Sequence, residues 1–301
     1  MNLPALSRRH CLALALPLPA ATLLSACATA SAPAAPALVE LQAAGGRAVA
    51  VTVWRPRGAV RGRVLFSHGA ASAPAKYTAL IEPWVGAGWE VWAPLHVDST
   101  EHPQTARYPG MASWAARLED MRLLADHVGP GTYVAAGHSY GALVALVLGG
   151  ATPLQAPAAG GAGLRDPRVR AVIAFSPPGP LRGLIDGAGY AGLAVPALIE
   201  TGDLDVPPGA GPGDWVTHLA AYDAAAPGGE RYALVLAGAN HYFGGLICRL
   251  DLPGPRQDAA LAAAVRVSTV FLQAFGAGDA AARARLGQAL AADGPVRLQR
   301  K

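Results

Sequence analysis

Gly137-His138-Ser139-Tyr140-Gly141 stands between two apolar runs, residues 132–136 before it and residues 142–148 after it. This order predicts a buried strand, a tight turn and a buried helix. A serine at such a corner needs glycine on both sides, because a Cβ there would collide with the neighbouring strand or helix. A chain with 36 glycines can contain the motif by chance, but the strand–turn–helix context indicates a nucleophile elbow that holds the Ser139 hydroxyl above a sheet.

Segments with strand and helix patterns alternate along the rest of the chain. Alternation of this kind predicts an α/β fold with a mostly parallel sheet of about eight strands and helices on both faces, in a single domain over residues 38–301. In the helical segment 114–127, apolar residues share one face and charged residues the other. Residues 215–225 also predict a helix. Residues 151–167, rich in Pro, Gly and Ala, are either a lid or a surface loop. The predicted strands are residues 49–54, 64–66, 89–93, 132–136, 169–175, 197–200 and 232–236.

Residues 1–27 predict a bacterial export signal, with Arg8-Arg9 ahead of an apolar segment. The signal ends in Leu24-Ser25-Ala26-Cys27, which resembles the lipobox in which the cysteine is acylated, for example by palmitate. An ordinary signal cut within residues 28–32 is the alternative, and the arginine pair leaves general secretion and twin-arginine export both open. Residues 28–37 predict a flexible tether. We therefore expect an exported protein, anchored by lipid at the periplasmic face of a membrane.

The charge and cysteine content exclude several classes of protein. Net charge is +4, and without Arg8 and Arg9 the chain carries 22 basic against 20 acidic residues, with no basic stripe. A nucleic-acid partner is therefore not expected. Cys11 lies in the leader with Cys27, which leaves Cys248 without a partner for an intrachain disulfide. The oligomeric state stays open.

The proposed nucleophile needs a base, and the base needs a carboxylate that fixes its tautomer. In proteins with a nucleophile elbow, both come from loops at the carboxyl ends of later strands, in the order Ser, Asp or Glu, His. His241 follows the predicted strand 232–236, and Asp203 and Asp205 follow the strand 197–200. Asp203 could instead stabilise a turn through backbone N–H groups. Glu200, within the strand itself, is the least favoured acid.

An oxyanion intermediate needs two N–H donors, for which the sequence offers the backbone of Tyr140 and of Ala70. His68, beside Ala70, is then expected to brace its loop. Aromatic residues adjacent to the proposed catalytic residues are candidates for the walls of a substrate pocket. They are Tyr140, Trp215, Tyr242 and Phe243.

With these residues in place, the chain resembles the α/β-hydrolase superfamily, and within it the dienelactone-hydrolase-like and platelet-activating-factor-acetylhydrolase-like serine hydrolases. The resemblance covers residues 45–280 and implies a serine carboxylic-ester hydrolase with an acyl-enzyme intermediate. It favours Asp205, because the family pattern is G-x-x-D followed by an apolar residue and proline. Its supporting stretches are residues 66–69, 93–99, 137–141, 166–172 with 176–177, 202–205 and 238–245.

The resemblance also has limits. Dienelactone hydrolases use a cysteine nucleophile, so that activity is not implied for Ser139. His96, Asp98 and His102 could be taken for metal ligands, but the resembling proteins have a bracing loop there, and no second cluster supports a metal. We expect no metal and no cofactor, and a small ester or lipid substrate. The alternatives are a phospholipase A2-like acyl hydrolase and a catalytically silent lipoprotein that only binds its ligand.

Overall fold

The computed structural model describes residues 35–155 and 164–301, which form one nine-stranded sheet with helices on both faces. The predicted signal with Cys27 and residues 28–34 of the predicted tether lie outside the described residues. So do residues 156–163 of the predicted lid.

The sheet is parallel in its centre and antiparallel at its edges, in the order β1-β2-β4-β3-β5-β6-β7-β8-β9. Strands β3 to β8 run parallel, whereas β1, β2 and β9 pair antiparallel with their neighbours. The loops that follow the parallel strands therefore meet at one edge. The strands are β1 Ala37–Gln42, β2 Ala48–Trp54, β3 Gly62–Ser67, β4 Trp89–Pro94, β5 Tyr133–His138, β6 Val169–Phe175, β7 Ala197–Gly202, β8 Arg231–Leu236 and β9 Val296–Arg300.

Two apolar layers cover the sheet. Helices α1 and α6 pack on one face, and α2 and α3 pack on the other. Every residue of β5 and of α3 is buried, as the apolar runs on each side of Ser139 predict. The helices are α1 Thr78–Gly86, α2 Trp114–His127, α3 Tyr140–Leu148, α4 Gly187–Tyr190, α5 Ala220–Ala224, α6 Asp258–Phe271 and α7 Ala280–Gln288.

One helical run among the described residues, Asp258–Gly276, is long and apolar enough for a membrane span by length and composition alone. It comprises α6 and a π-helical turn, Leu272–Gly276. Half of its most apolar 18-residue stretch is buried inside the protein. Phe271 and Phe275 contribute to the core beneath it. It is therefore a core helix that covers the sheet.

The mostly parallel sheet is confirmed, with nine strands against the eight expected. Two strands, β1 and β9, are not among the seven predicted segments, and β1 begins at Ala37, the last residue of the predicted tether. Each contains a single buried residue, Leu41 and Leu298, so neither has the apolar pattern that marks an inner strand. The helix predicted over residues 215–225 is instead a 3₁₀ turn, Asp214–Leu219, followed by the short α5.

Candidate active site

Ser139 occupies the corner between β5 and α3 with φ 54° and ψ −121°, a conformation that is strained for any residue with a side chain. The flanking glycines are sterically required. A Cβ on Gly137 would lie 2.3 Å from the Gly141 carbonyl oxygen, and one on Gly141 would lie 1.9 Å from that of Ser67. The Ser139 N–H donates to the Phe175 carbonyl at 2.8 Å, which ties the corner to β6. The packing therefore enforces the geometry predicted for an elbow.

His241 and Asp205 are brought together by the loops after β8 and β7. Nδ1 of His241 lies 2.8 Å from Oδ1 of Asp205, and Oδ2 of Asp205 accepts from the Thr201 hydroxyl at 3.0 Å. Asp205 is 1% exposed, whereas the His241 side chain is 23% exposed. Because a carboxylate only accepts hydrogen bonds, Nδ1 carries the proton and Nε2 is left free to act as a base.

The protonation states fit that arrangement. Burial raises the pKa of Asp205, but its contacts with His218 and His241 outweigh burial and hold the pKa well below the usual range. Burial lowers the pKa of His241, and the opposing hydrogen bond to Asp205 does not fully restore it. At neutral pH the pair is therefore a carboxylate and a neutral imidazole.

The other candidate acid takes a different role. Asp203 Oδ1 accepts from the Gly238 N–H at 2.7 Å, and Oδ2 lies 3.5 Å from Arg297. The first contact joins the turn after β7 to the turn after β8, and the second reaches β9. Asp203 thus has the turn-stabilising role left open for it.

Ser139 and His241 line one cavity of about 690 Å³, whose other walls are largely proline-rich loops. Tyr242 also lines this cavity. The other three predicted wall residues do not: Tyr140 stacks on Trp114, Phe243 is buried in the core, and Trp215 lies under Arg297. Adjacency in sequence misled because neighbouring side chains in turns and short helices point in different directions. The remaining lining residues are Ser176, Pro178, Gly179, Pro180, Leu181, Val206, Pro207, Pro208, Ala210, Asp214, Thr217 and His218.

The proposed oxyanion donors lie on two segments in contact. Tyr140 is the first residue of α3, so its N–H has no partner within the helix. Ala70 is an exposed residue of the loop after β3. The carbonyls of Ser67 and His68 lie so close to Gly141 that this loop rests directly on the start of α3.

Arg117, on α2, contacts both of these segments and is fully buried. Its guanidinium donates to the carbonyls of His68 at 2.7 Å and Gly69 at 3.1 Å. It also donates two hydrogen bonds of 2.8 Å to Asp98, and Cζ lies 4.6 Å from the centre of the Tyr140 ring. Burial raises the pKa of Asp98, but Arg117 outweighs burial and holds this pKa well below the usual range. The pattern of α2 predicts a solvated charged face, and Arg117 corrects that expectation.

His96 and Asp98, considered as metal ligands in the sequence, brace the same loop. His96 bonds through Nε2 to Ser67 Oγ and through Nδ1 to Asp120, both at 2.8 Å. The Ala71 N–H donates to Asp98 at 3.3 Å. Both nitrogens of His96 thus have protein partners, and Asp120 is a second charged residue of α2 that lies in the interior.

His138 connects the loop after β3 to His241 through a chain of three hydrogen bonds, each 2.9 Å long. The Gly69 N–H donates to the hydroxyl of Tyr77, that hydroxyl donates to Nδ1 of His138, and Nε2 of His138 donates to the His241 carbonyl. Burial lowers the pKa of His138 to about 4, so the ring is neutral, as this chain requires. The sequence analysis did not predict this role for His138. The signal that could have indicated it is a single polar side chain at the end of a buried, otherwise apolar strand.

His218, on the 3₁₀ turn 214–219, is a second imidazole that contacts the carboxylate of Asp205. Its Nε2 lies 3.1 Å from Asp205 Oδ1, within ion-pair range but without the alignment of a hydrogen bond. Its Nδ1 lies 2.6 Å from the Pro177 carbonyl. The sequence offered no sign of this contact, because the predicted helix gave His218 no place beside the site.

Comparison with known proteins gives the fold. No protein-family model and no curated protein sequence matches this chain. Among solved structures it is similar to a dienelactone hydrolase from Anabaena variabilis (17% identity, TM-score 0.53, 81% of this chain and 99% of that one). It is also similar to a thermophilic esterase from Thermogutta terrifontis (17%, 0.58, 80% and 93%) and to an alpha-beta serine hydrolase homologue from Coxiella burnetii (18%, 0.53, 72% and 94%). The esterase has also been solved phosphorylated by paraoxon and with butyrate bound. The described residues therefore have the α/β-hydrolase fold.

Proposed function

We propose that this α/β-hydrolase-fold chain is a serine carboxylic-ester hydrolase that works through an acyl-enzyme. One observation carries the proposal: Ser139, strained at the elbow, opens into the same cavity as His241, and the other ring nitrogen of His241 rests on the buried Asp205. Neutral imidazole and ionised carboxylate are the protonation states that the chemistry needs.

In the first half of the reaction, Ser139 Oγ attacks the ester carbonyl carbon while Nε2 of His241 takes the hydroxyl proton. The backbone N–H groups of Tyr140 and Ala70 receive the developing oxyanion. Asp205 stabilises the imidazolium without taking its proton. The carbon–oxygen bond to the alcohol then breaks, and His241 gives its proton to the departing oxygen. Water repeats the sequence on the acyl-enzyme and releases the acid.

The test is chemical labelling combined with kinetics. A fluorophosphonate probe should label the wild-type protein and fail to label Ser139→Ala. Hydrolysis of p-nitrophenyl acetate should fall by roughly 10³ to 10⁶ in kcat in Ser139→Ala and in His241→Ala, while far-UV circular dichroism stays unchanged. Labelling of Ser139→Ala, or near-normal turnover by either variant, would exclude this assignment. A folded wild-type protein that neither reacts nor turns over would favour the silent binding lipoprotein.

The cavity suggests short acyl groups. Its volume of about 690 Å³ lies within the range of small-molecule sites, and proline-rich walls resist expansion because proline fixes φ. We therefore expect kcat/KM on p-nitrophenyl esters to fall steeply between butyrate and palmitate. A profile that rises toward palmitate would contradict this preference for short acyl groups.

We also propose that Cys27 is acylated and tethers the domain to a membrane, on the strength of the lipobox-like Leu24-Ser25-Ala26-Cys27. Labelled palmitate should be incorporated into the wild-type protein but not into Cys27→Ala, which should leave the membrane fraction. The phospholipase A2-like alternative is tested on the same preparations. Release of short sn-2 acyl groups from phospholipid vesicles, faster than from soluble esters, would favour it.

A further inference from the structure

The two ring nitrogens of His218 face oxygen atoms that can only accept hydrogen bonds. Nδ1 lies 2.6 Å from the Pro177 carbonyl oxygen, so it must carry a proton. Nε2 lies 3.1 Å from the carboxylate oxygen Oδ1 of Asp205. The contact is not aligned as a hydrogen bond, but in a neutral ring an unprotonated, electron-rich nitrogen would lie buried 3.1 Å from an anionic oxygen with no positive charge to offset the repulsion. Protonation of both nitrogens removes the conflict.

We propose that His218 is held as an imidazolium on Asp205 and acts as a positioning residue that sets the basicity of His241. This inference rests on the hydrolase function proposed above. It names a fourth side chain in the relay of Ser139, His241 and Asp205, one that never touches the reacting atoms.

The geometry makes the two imidazoles compete for one oxygen. Oδ1 of Asp205 lies 2.8 Å from His241 and 3.1 Å from His218, and the two rings are 5.8 Å apart. His218 is 4% exposed, so water does little to screen its charge. A permanent cation at this place weakens the attraction between the Asp205 carboxylate and a protonated His241, and it also repels a positive charge on His241. Both effects lower the pKa of His241.

The surroundings of His218 contain few other charges. The loop after β6 supplies the Pro177 carbonyl, the loop after β7 supplies Asp205, and the loop after β8 supplies His241. On its own turn, Asp214 lines the same cavity, and its carboxylate accepts from the Gly211 N–H at 2.7 Å. Burial lowers the pKa of His218, but the contacts with Asp205 outweigh burial and raise it overall.

The first test reads protonation directly and needs no activity. Imidazole ¹⁵N NMR spectra of the Ser139→Ala protein are recorded from pH 5 to 9, with His218→Gln used to assign the His218 resonances. We expect both nitrogens of His218 to be protonated at pH 7, where His241 carries a proton on Nδ1 alone. A His218 ring with a single protonated nitrogen at pH 7 would overturn the proposal even if the protein proved not to be a hydrolase.

The second test uses the pH dependence of kcat/KM on p-nitrophenyl acetate. Removing the cation in His218→Gln frees Asp205 for His241, so the acid limb should move up by about one pH unit. The matched control is His127→Gln, an exposed histidine at the end of α2, in which the limb should not move. An unmoved limb in an active, folded His218→Gln protein would overturn the proposed influence on His241. Should that variant not fold, the NMR measurement still decides the protonation state of His218.

Discussion

Replacing Arg117 tests whether the buried guanidinium shapes the oxyanion-binding loop. In Arg117→Met, the carbonyls of His68 and Gly69 lose their donors, and Asp98 loses a paired contact in which both hydrogen bonds are 2.8 Å long. The Asp98 side chain is only 6% exposed, so its charge would remain buried without a cation to balance it, and only the Ala71 N–H would still donate to it.

Two magnitudes follow. Breaking a buried ion pair from one side costs about 3–5 kcal/mol of unfolding free energy, because one charge stays uncompensated. If the loop moves and Ala70 no longer presents its N–H, the loss is that of one oxyanion donor, about 10² to 10³ in kcat. KM should change little, because the stabilisation lost belongs to the transition state.

The assay separates these two effects. Active sites are counted by fluorophosphonate labelling, so that kcat refers to folded protein alone, and urea unfolding gives stability. Arg117→Lys keeps the charge but lacks the planar fork, and should recover stability more than turnover. In the double variant Arg117→Met/Asp98→Asn, the buried negative charge is removed, so the free energy of unfolding should partly recover relative to Arg117→Met. kcat should not recover, because the loop carbonyls still lack their donor. The control is Arg266→Met on the exposed face of α6. A wild-type kcat per labelled site in Arg117→Met would refute the reasoning.

Three further outcomes are expected. Gly141→Ala should not yield folded, active protein, because its Cβ would lie 1.9 Å from the Ser67 carbonyl oxygen. The control Gly86→Ala, which has open space around the added Cβ, should give a normal circular dichroism spectrum. Asp205→Asn should reduce kcat roughly 10⁴-fold by losing the correct tautomer, and Asp203→Asn should not; equal losses would contradict the assignment of the acid. As the pH falls, kcat/KM should stay high down through pH 6.5 and decrease only below it, because the base must be neutral and the pKa of His241 is lowered. A half-maximal kcat/KM at a pH above 7 would be inconsistent with this.

The sequence was most informative where the chemistry depends on local steric rules. Gly137 and Gly141 are needed on each side of Ser139, and a short motif records that need directly. Topology predicted that the loop with His241 and the loop with Asp203 and Asp205 lie at one edge, because the carboxyl ends of parallel strands share it. The choice of Asp205 over Asp203 came from the family pattern.

Contacts between segments distant in sequence were not predictable in this way. Arg117 meets its carbonyl partners across 48 and 49 residues, and His218 meets Pro177 across 41. On a helical projection, Arg117 and Asp120 look like solvent-facing charges, because periodicity cannot tell a solvated polar residue from a buried and paired one. The edge strands β1 and β9 were missed for a related reason, since each has only one buried residue.

The chain of hydrogen bonds from Gly69 through Tyr77 and His138 to His241 ties the loop after β3 to the loop after β8. The loop after β3 and the loop after β8 cannot drift apart without breaking a link among buried groups, which is costly. Amide exchange in the two loops should therefore slow together when an organophosphate occupies Ser139. Tyr77→Phe, which lacks the hydroxyl that bridges Gly69 and His138, should let each loop exchange at its own rate.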